Sequence, residues 1–328
     1  MPIEPYQPPR WLANGHGMTV FAWASPRRFP RLPEGEVRLF DVAPATRVMA
    51  KCHWQDGRTS RPTLLVLHGL EGSADSPYVR GIAEKALVAG FNVVRLNQRD
   101  CGGTDHLSVA SYHSGLTADP AAVIRELIDR DHLERIGVAG YSLGGNLALK
   151  LAGEFGDTPP PEVKAVATVS PTLDLEACIT AIQRPSNWFY QRDFLVSLKQ
   201  RVRRKSAMYP WHFSTAYLPG VRTIREFDER YTSRLYGFGN AANYYYQASS
   251  LRVVRRIRVP TLIVTAEDDP FVPASQFDTT AVAGNASIRL VVTPHGGHCG
   301  FIERRTSGGG DRHWAERAVV NFVGESMR

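Results

Sequence analysis

The chain has 328 residues, of which 43% are hydrophobic and 22% charged, and a formal net charge of +7. That length suits one large domain, or one domain with an insertion, and the balance is that of a globular protein rather than a disordered or fibrous one. No apolar run approaches the ~20 residues of a membrane span, the proline-rich start lacks the apolar core of a secretory signal, and Cys52, Cys101, Cys178 and Cys299 are too scattered for a disulfide framework or a zinc site; a cytoplasmic protein without metal or organic cofactor is expected.

Residues 1–35 carry many prolines and aromatics and read as irregular. Residues 36–41 and 47–53 read as two antiparallel strands. Residues 62–67 form a continuous apolar run, as expected of a strand buried on both faces. The run ends in His68-Gly69-Leu70-Glu71-Gly72. Ser76-Pro77 then opens a helix, with serine at the cap and proline at the first helical position. Residues 91–96 make the next strand, and Asp119-Pro120 opens another helix by the same cap chemistry. A strand at 136–139, a helix after it and a strand at 163–169 complete a β-α-β-α-β-α-β order. Strands alternating with helices of this length imply a mainly parallel sheet, of about eight strands, with helices on both faces.

The alternation breaks over residues 172–250, which hold no clear strand and many aromatics, among them Trp188, Tyr190, Trp211, Tyr244 and Tyr245. It resumes with a strand at 259–265, a helix at about 273–283, a strand at 288–293 and a helix at 314–323. Residues 1–171 and 251–328 are therefore expected to form one α/β core with an N-terminal extension. Residues 172–250 are expected to be a mostly helical cap. The short glycine run at 307–310 reads as a flexible loop, since no strand feeds into it.

The chemistry centres on Gly140-Tyr141-Ser142-Leu143-Gly144, which lies where the 136–139 strand turns into a helix. A Gly-x-Ser-x-Gly at such a turn lifts the serine hydroxyl clear of the backbone, and the glycines leave room for chains that pass closely. The Leu143 N–H opens the helix without an intrahelical partner and can face a developing oxyanion. A serine hydroxyl needs a base, and the base needs an orienting acid. Two later strands supply them. One runs into Asp268-Asp269-Pro270-Phe271-Val272-Pro273, the other into His295-Gly296-Gly297-His298-Cys299-Gly300. The order Ser, Asp, His is that of α/β-hydrolases. The Leu70 N–H, after the 62–67 strand, can supply a second oxyanion donor.

These stretches, with Asn97-Gln98-Arg99-Asp100-Cys101-Gly102-Gly103 and Tyr112-His113-Ser114-Gly115-Leu116-Thr117, resemble the α/β-hydrolases of the YheT/EMB8-like family, which is related to ABHD1–ABHD3. The matching stretches span most of residues 11–325. Where that family commonly has glycine after the loop arginine, this chain has Asp100. The resemblance implies Ser142 as nucleophile, His298 as general base and Asp269 as orienting acid. Asp268 is the competitor, and only one of two adjacent side chains is expected to reach His298.

The remaining candidates have plainer readings. His295 reads as a loop residue, His68 as a locally bonded strand end, and Asp119 as a helix cap. Cys101 and Cys299 read as structural thiols. Lys199, Arg201, Arg203, Arg204 and Lys205 read as a solvated helix face, with peripheral contact to an anionic membrane as the functional alternative. No nucleic-acid motif accompanies them. At least two of the 172–250 aromatics are expected to line an acyl or alcohol pocket. The implied activity is hydrolysis of a carboxylic ester, of small-molecule or lipid-like type, through a Ser-His-Asp triad and an acyl-enzyme, with short or medium acyl chains favoured. The rivals are an acyltransferase with the same triad and a ligand-binding protein on the same fold.

Overall fold

The computed structural model describes residues 4–304 and 311–328, so the glycine run at 307–310 lies outside the described residues. The strands form one eight-stranded sheet in the order β1-β2-β4-β3-β5-β6-β7-β8. The first two, β1 (Glu36–Ala43) and β2 (Thr46–His53), are an antiparallel hairpin, and β2 also runs antiparallel to β4 (Asn92–Leu96). From β4 onward the sheet is parallel, through β3 (Thr63–Leu67), β5 (Ile136–Tyr141), β6 (Val163–Val169), β7 (Thr261–Ala266) and β8 (Ile288–Thr293).

Every residue of β3, β4, β5 and β7 is buried, Asn92 and Arg95 of β4 included, and burial on both faces is why β3 reads as a continuous apolar run. Their side chains alternate between two cores. Leu65 and Leu67 of β3 face a core shared with helices α3 (Ala118–Asp129) and α4 (Leu143–Phe155). Leu64 and Val66 face the opposite core, shared with α2 (Pro77–Val88) and the C-terminal helix. Each fully buried leucine or valine contributes about 1.5–3 kcal/mol of transfer free energy.

Between β6 and β7 the chain makes a helical excursion: α5 (Leu175–Ile182), α6 (Trp188–Met208), α7 (Ile224–Phe227), α8 (Ser233–Leu235) and α9 (Ala241–Ala248). A π-helical turn, Asp228–Thr232, joins α7 to α8. After β7 come α10 (Thr280–Ala283), β8 and α11 (Trp314–Ser326).

Three local expectations are corrected. The stretch 1–35 is not irregular throughout, because Gly15–Ala24 forms helix α1, capped by Asn14, whose side chain accepts from the Gly17 N–H. The helix expected at 273–283 is a 3₁₀ turn, Ala274–Phe277, followed by the single turn of α10. Asp119 is not a cap. Its carboxylate takes the Arg99 guanidinium in a two-point ion pair, with Nε at 2.7 Å and Nη2 at 2.6 Å, and this fixes the loop after β4.

Candidate active site

The C-terminal ends of β3, β5, β6, β7 and β8 meet in one region, and the backbone there is strained. Six of the eight described non-glycine residues with positive φ lie in loops on this edge: Glu71, Asp100, Ser142, Ser170, Cys299 and Phe301. Such conformations cost roughly 1–3 kcal/mol each and persist only where their surroundings dictate them. Ser142 has φ 53° and ψ −119°. A Cβ on Gly144 would stand 2.4 Å from the Leu67 carbonyl oxygen, and one on Gly140 would stand 2.2 Å from that of Gly144. The elbow therefore fits only glycine at both positions.

Around this turn the structure brings Ser142, His298 and Asp269 together. Ser142 Oγ lies 2.8 Å from His298 Nε2, and His298 Nδ1 lies 2.8 Å from Asp269 Oδ2. Asp269 Oδ1 accepts from the Phe271 and Val272 N–H groups at 3.0 and 2.9 Å, so the carboxylate is held before it meets the ring. The carboxylate is fully buried, and the Phe271 ring sits 4.0 Å from the imidazole, centroid to centroid. Burial is the largest single influence and disfavours the imidazolium, but the charge and hydrogen bond of Asp269, joined by those of Cys299, together outweigh it and raise the His298 pKa to about 10.

Leu70 and Leu143 flank the serine and line the same cavity. Gly69 passes close enough that a Cβ on it would touch the Ser142 Cβ at 3.2 Å. Among the described residues, neither the Leu70 nor the Leu143 N–H has a hydrogen-bond partner. Both are available to an oxyanion near Ser142.

Two residues that hold the histidine loop were not legible as such in the sequence. Asp268 does not compete for His298. Its Oδ1 accepts from the Gly296 and Gly297 N–H groups, both at 2.9 Å, and its Oδ2 lies 3.1 Å from His295 Nδ1. One aspartate holds the ring and its neighbour holds the loop. The second residue is Thr19 of α1, whose Oγ1 accepts from the His298 N–H at 2.8 Å and donates to the Gly15 carbonyl at 2.7 Å. No motif marks Thr19, since it lies in a stretch that reads as irregular.

The other candidates fall outside the chemistry. His68 is buried and neutral, with Nδ1 2.7 Å from the Gly69 carbonyl and Nε2 accepting from Gln98 N, and burial lowers its pKa to about 4. The Cys101 thiol is buried and its pKa lies well above the ordinary range. Cys299 is a free, partly buried thiol beside His298. Asp311, His313 and Glu316 converge closely enough to hold an ion, but Arg27 and Lys85 already neutralise the carboxylates.

The basic run of α6 is also not a uniform solvated face. Arg201 and Lys205 are buried, leaving Lys199, Arg203 and Arg204 toward solvent. Lys205 Nζ pairs with Asp100 Oδ1 at 2.9 Å, and both side chains are fully buried. Asp100 has φ 64°, the left-handed region that favours glycine, and its side chain is aimed at the lysine. Arg201 Nη1 lies 2.7 Å from Glu71 Oε1. With Arg204, whose Nε lies 3.2 Å from both Asp105 carboxylate oxygens, three of the five cations tie the helical excursion to loops of the sheet.

A cavity of about 90 Å³ opens over Ser142. Its apolar wall includes Leu143, Leu175, Ile179, Ile182, Leu198 and Phe271. Tyr244 and Tyr245 of the 172–250 aromatics line it too, whereas Trp188 and Trp211 are exposed. Among the described residues, no helix is long and apolar enough to cross a membrane.

Comparison with known proteins agrees with this architecture. The model of the alpha/beta hydrolase fold family matches residues 62–305. YheT of Escherichia coli is 40% identical over 245 residues, covering 74% of this chain and 71% of YheT. Phospholipase ABHD3 of Bos taurus is 31% identical over 252 residues, covering 76% of this chain and 61% of that protein. The solved structure of the Pyrococcus furiosus esterase Pf2001 superposes with a TM-score of 0.55 at 18% identity, covering 90% of this chain and 94% of the esterase, a likeness of fold alone.

Proposed function

Because this chain belongs to the α/β-hydrolase family, in the group of YheT and ABHD3, and is a carboxylic ester hydrolase, we propose that it cleaves its ester by acyl transfer to Ser142. The observation that carries this reading is the hydrogen-bonded line from Ser142 Oγ through His298 to Asp269, with 2.8 Å at each step. Neutral His298 carries its proton on Nδ1, toward Asp269, and leaves Nε2 free to accept the serine proton. Ser142 Oγ attacks the ester carbonyl carbon. The Leu70 and Leu143 N–H groups meet the oxyanion, each such donor being worth roughly 10²–10³ in rate. The imidazolium, stabilised by Asp269, protonates the leaving alcohol. His298 then activates a water that releases the acid from the acyl-enzyme.

The 172–250 excursion acts as a cap, and its apolar wall with Tyr244 and Tyr245 takes the acyl chain. The cavity's modest size supports short to medium chains. A lipid-like ester is consistent with the bovine relative, which is named a phospholipase.

The test is release of p-nitrophenolate from an acyl series, acetyl to palmitoyl, by the wild type and Ser142→Ala. One preferred chain length is expected, with turnover falling on the order of a thousandfold or more in the variant. Equal turnover in the variant, or none on any chain with the wild type, would overturn the reading.

A further inference from the structure

The cap's share of the cavity wall is mostly apolar, and of its four hydroxyl groups all but the buried Thr172 Oγ1 are already engaged. Thr232 Oγ1 donates to Asp228 Oδ1 at 2.6 Å, and Tyr245 OH donates to Asp228 Oδ2 at 2.7 Å. Tyr244 OH donates to Ser114 Oγ at 2.8 Å. Arg201 is different. It lines the same cavity, is only 6% exposed, and lies over the Tyr112 ring with its guanidinium carbon 4.5 Å from the centroid. Its Nη1 is 2.7 Å from Glu71 Oε1 but off the direction of N–H donation, so this nitrogen has a charge partner and no hydrogen bond. Glu71 Oε1 already accepts from Tyr112 OH at 3.0 Å. Among the described residues, no acceptor of the protein is hydrogen-bonded to any N–H of Arg201. A guanidinium carries five donors in a rigid fork, and leaving buried donors unmade is costly.

The ligand that answers this is an acceptor, and the surrounding charge says which kind. Two carboxylates, Glu71 and Asp228, face the one guanidinium, and the nearby Lys205 is committed to Asp100. An entering anion would meet both carboxylates in a poorly screened cavity. A neutral oxygen would not. We propose that Arg201 binds a second, uncharged oxygen acceptor on the substrate, a carbonyl or ether set apart from the scissile ester. Arg201 is then a specificity-determining residue, and the preferred substrates are esters whose acyl part carries such an oxygen. This rests on the reading of Ser142 as the nucleophile.

The test uses p-nitrophenyl esters whose acyl groups are the monomethyl esters of glutaric, adipic and pimelic acid. Each is paired with a straight-chain acyl ester of equal chain length and with the corresponding free-acid half ester. Release of p-nitrophenolate reports the aryl ester alone. In the wild type, the best methyl diester is expected to exceed its straight-chain match roughly tenfold in kcat/KM, and the free acid to fall below both. In Arg201→Met the ratio of methyl diester to straight chain should fall to about one. A wild-type ratio near one at all three lengths would overturn the proposal, as would a ratio unchanged by the substitution. Preference for the free acid would overturn the uncharged acceptor. The wild-type ratio needs no variant, so misfolding of Arg201→Met leaves the test intact. Failure of the serine mechanism is separately visible, as turnover of no ester at all or turnover that survives Ser142→Ala.

Discussion

At the scale of single residues, His298 feels two opposed influences. Burial favours its neutral form, and the Asp269 carboxylate 2.8 Å away favours the charged one and, together with Cys299, prevails. The mechanism uses the neutral ring to accept the serine proton, so activity is low wherever the imidazolium dominates. A pKa raised from 6.5 places that region at and above neutral pH. The kcat/KM of the wild type is therefore expected to climb into the alkaline range. In Asp269→Asn the largest raising influence is gone and burial dominates, so the limb should move toward acid pH while the plateau falls by roughly three to four orders of magnitude. A pH–rate profile of both proteins checks the sign. A limb that stays in place after the substitution would remove Asp269 from the role of orienting acid.

At the scale of elements, the histidine loop is held by parts distant in sequence. Asp268 at the end of β7 fixes Gly296 and Gly297, and Thr19 of α1 fixes the His298 N–H. Gly15 packs so closely on Asp268 that a Cβ there would stand 1.7 Å from its carbonyl oxygen. On the proposed mechanism helix α1 clamps the loop that carries His298, with Thr19 as its positioning residue. Thr19→Val keeps the shape and loses the acceptor. It is expected to lower kcat roughly tenfold with little change in KM, since misplacement affects the transition state more than ground-state binding. Thr19→Ser should restore most of it. An effect on KM alone, or no rescue by serine, would count against the clamp. The strands and the elbow were legible because a doubly covered sheet demands apolar runs, and because Gly140 and Gly144 are fixed by backbone contacts. The clamp was not, because one hydroxyl on a short helix leaves no pattern in the sequence.

At the scale of the whole molecule, the helical excursion and the loops of the sheet are joined through charge. Lys205 Nζ reaches Asp100 Oδ1, the Asp105 carbonyl and the Ser108 carbonyl, all within the buried interface between α6 and the loop after β4. Breaking a buried ion pair from one side leaves the other charge uncompensated, at a cost of about 3–5 kcal/mol. Lys205→Met is expected to lower the melting temperature by on the order of 5–10 °C. Adding Asp100→Gly removes the stranded carboxylate at a backbone position with φ 64°, where glycine is unstrained, and should recover a good part of the loss. Calorimetry of the two variants decides. A double variant less stable than Lys205→Met alone would show that Asp100 matters for reasons other than its partner.

The sequence by itself determined the alternation of elements, the parallel sheet and the identity of the elbow, because each depends on local periodicity or on close backbone approach. It also placed Ser142, Asp269 and His298 at strand ends, where this kind of sheet gathers its chemistry. It did not determine which charges are inside. The run from Lys199 to Lys205 has the composition of a solvated face, yet Arg201 and Lys205 point inward because Glu71 and Asp100, more than a hundred residues earlier, wait for them. Nor did it show that Asp268 and Asp269 share one histidine loop between them, or that Asp119 serves Arg99 rather than a helix end. These pairings are contacts between residues far apart in the chain, and only the folded chain decides which of many similar charges come within 3 Å of one another.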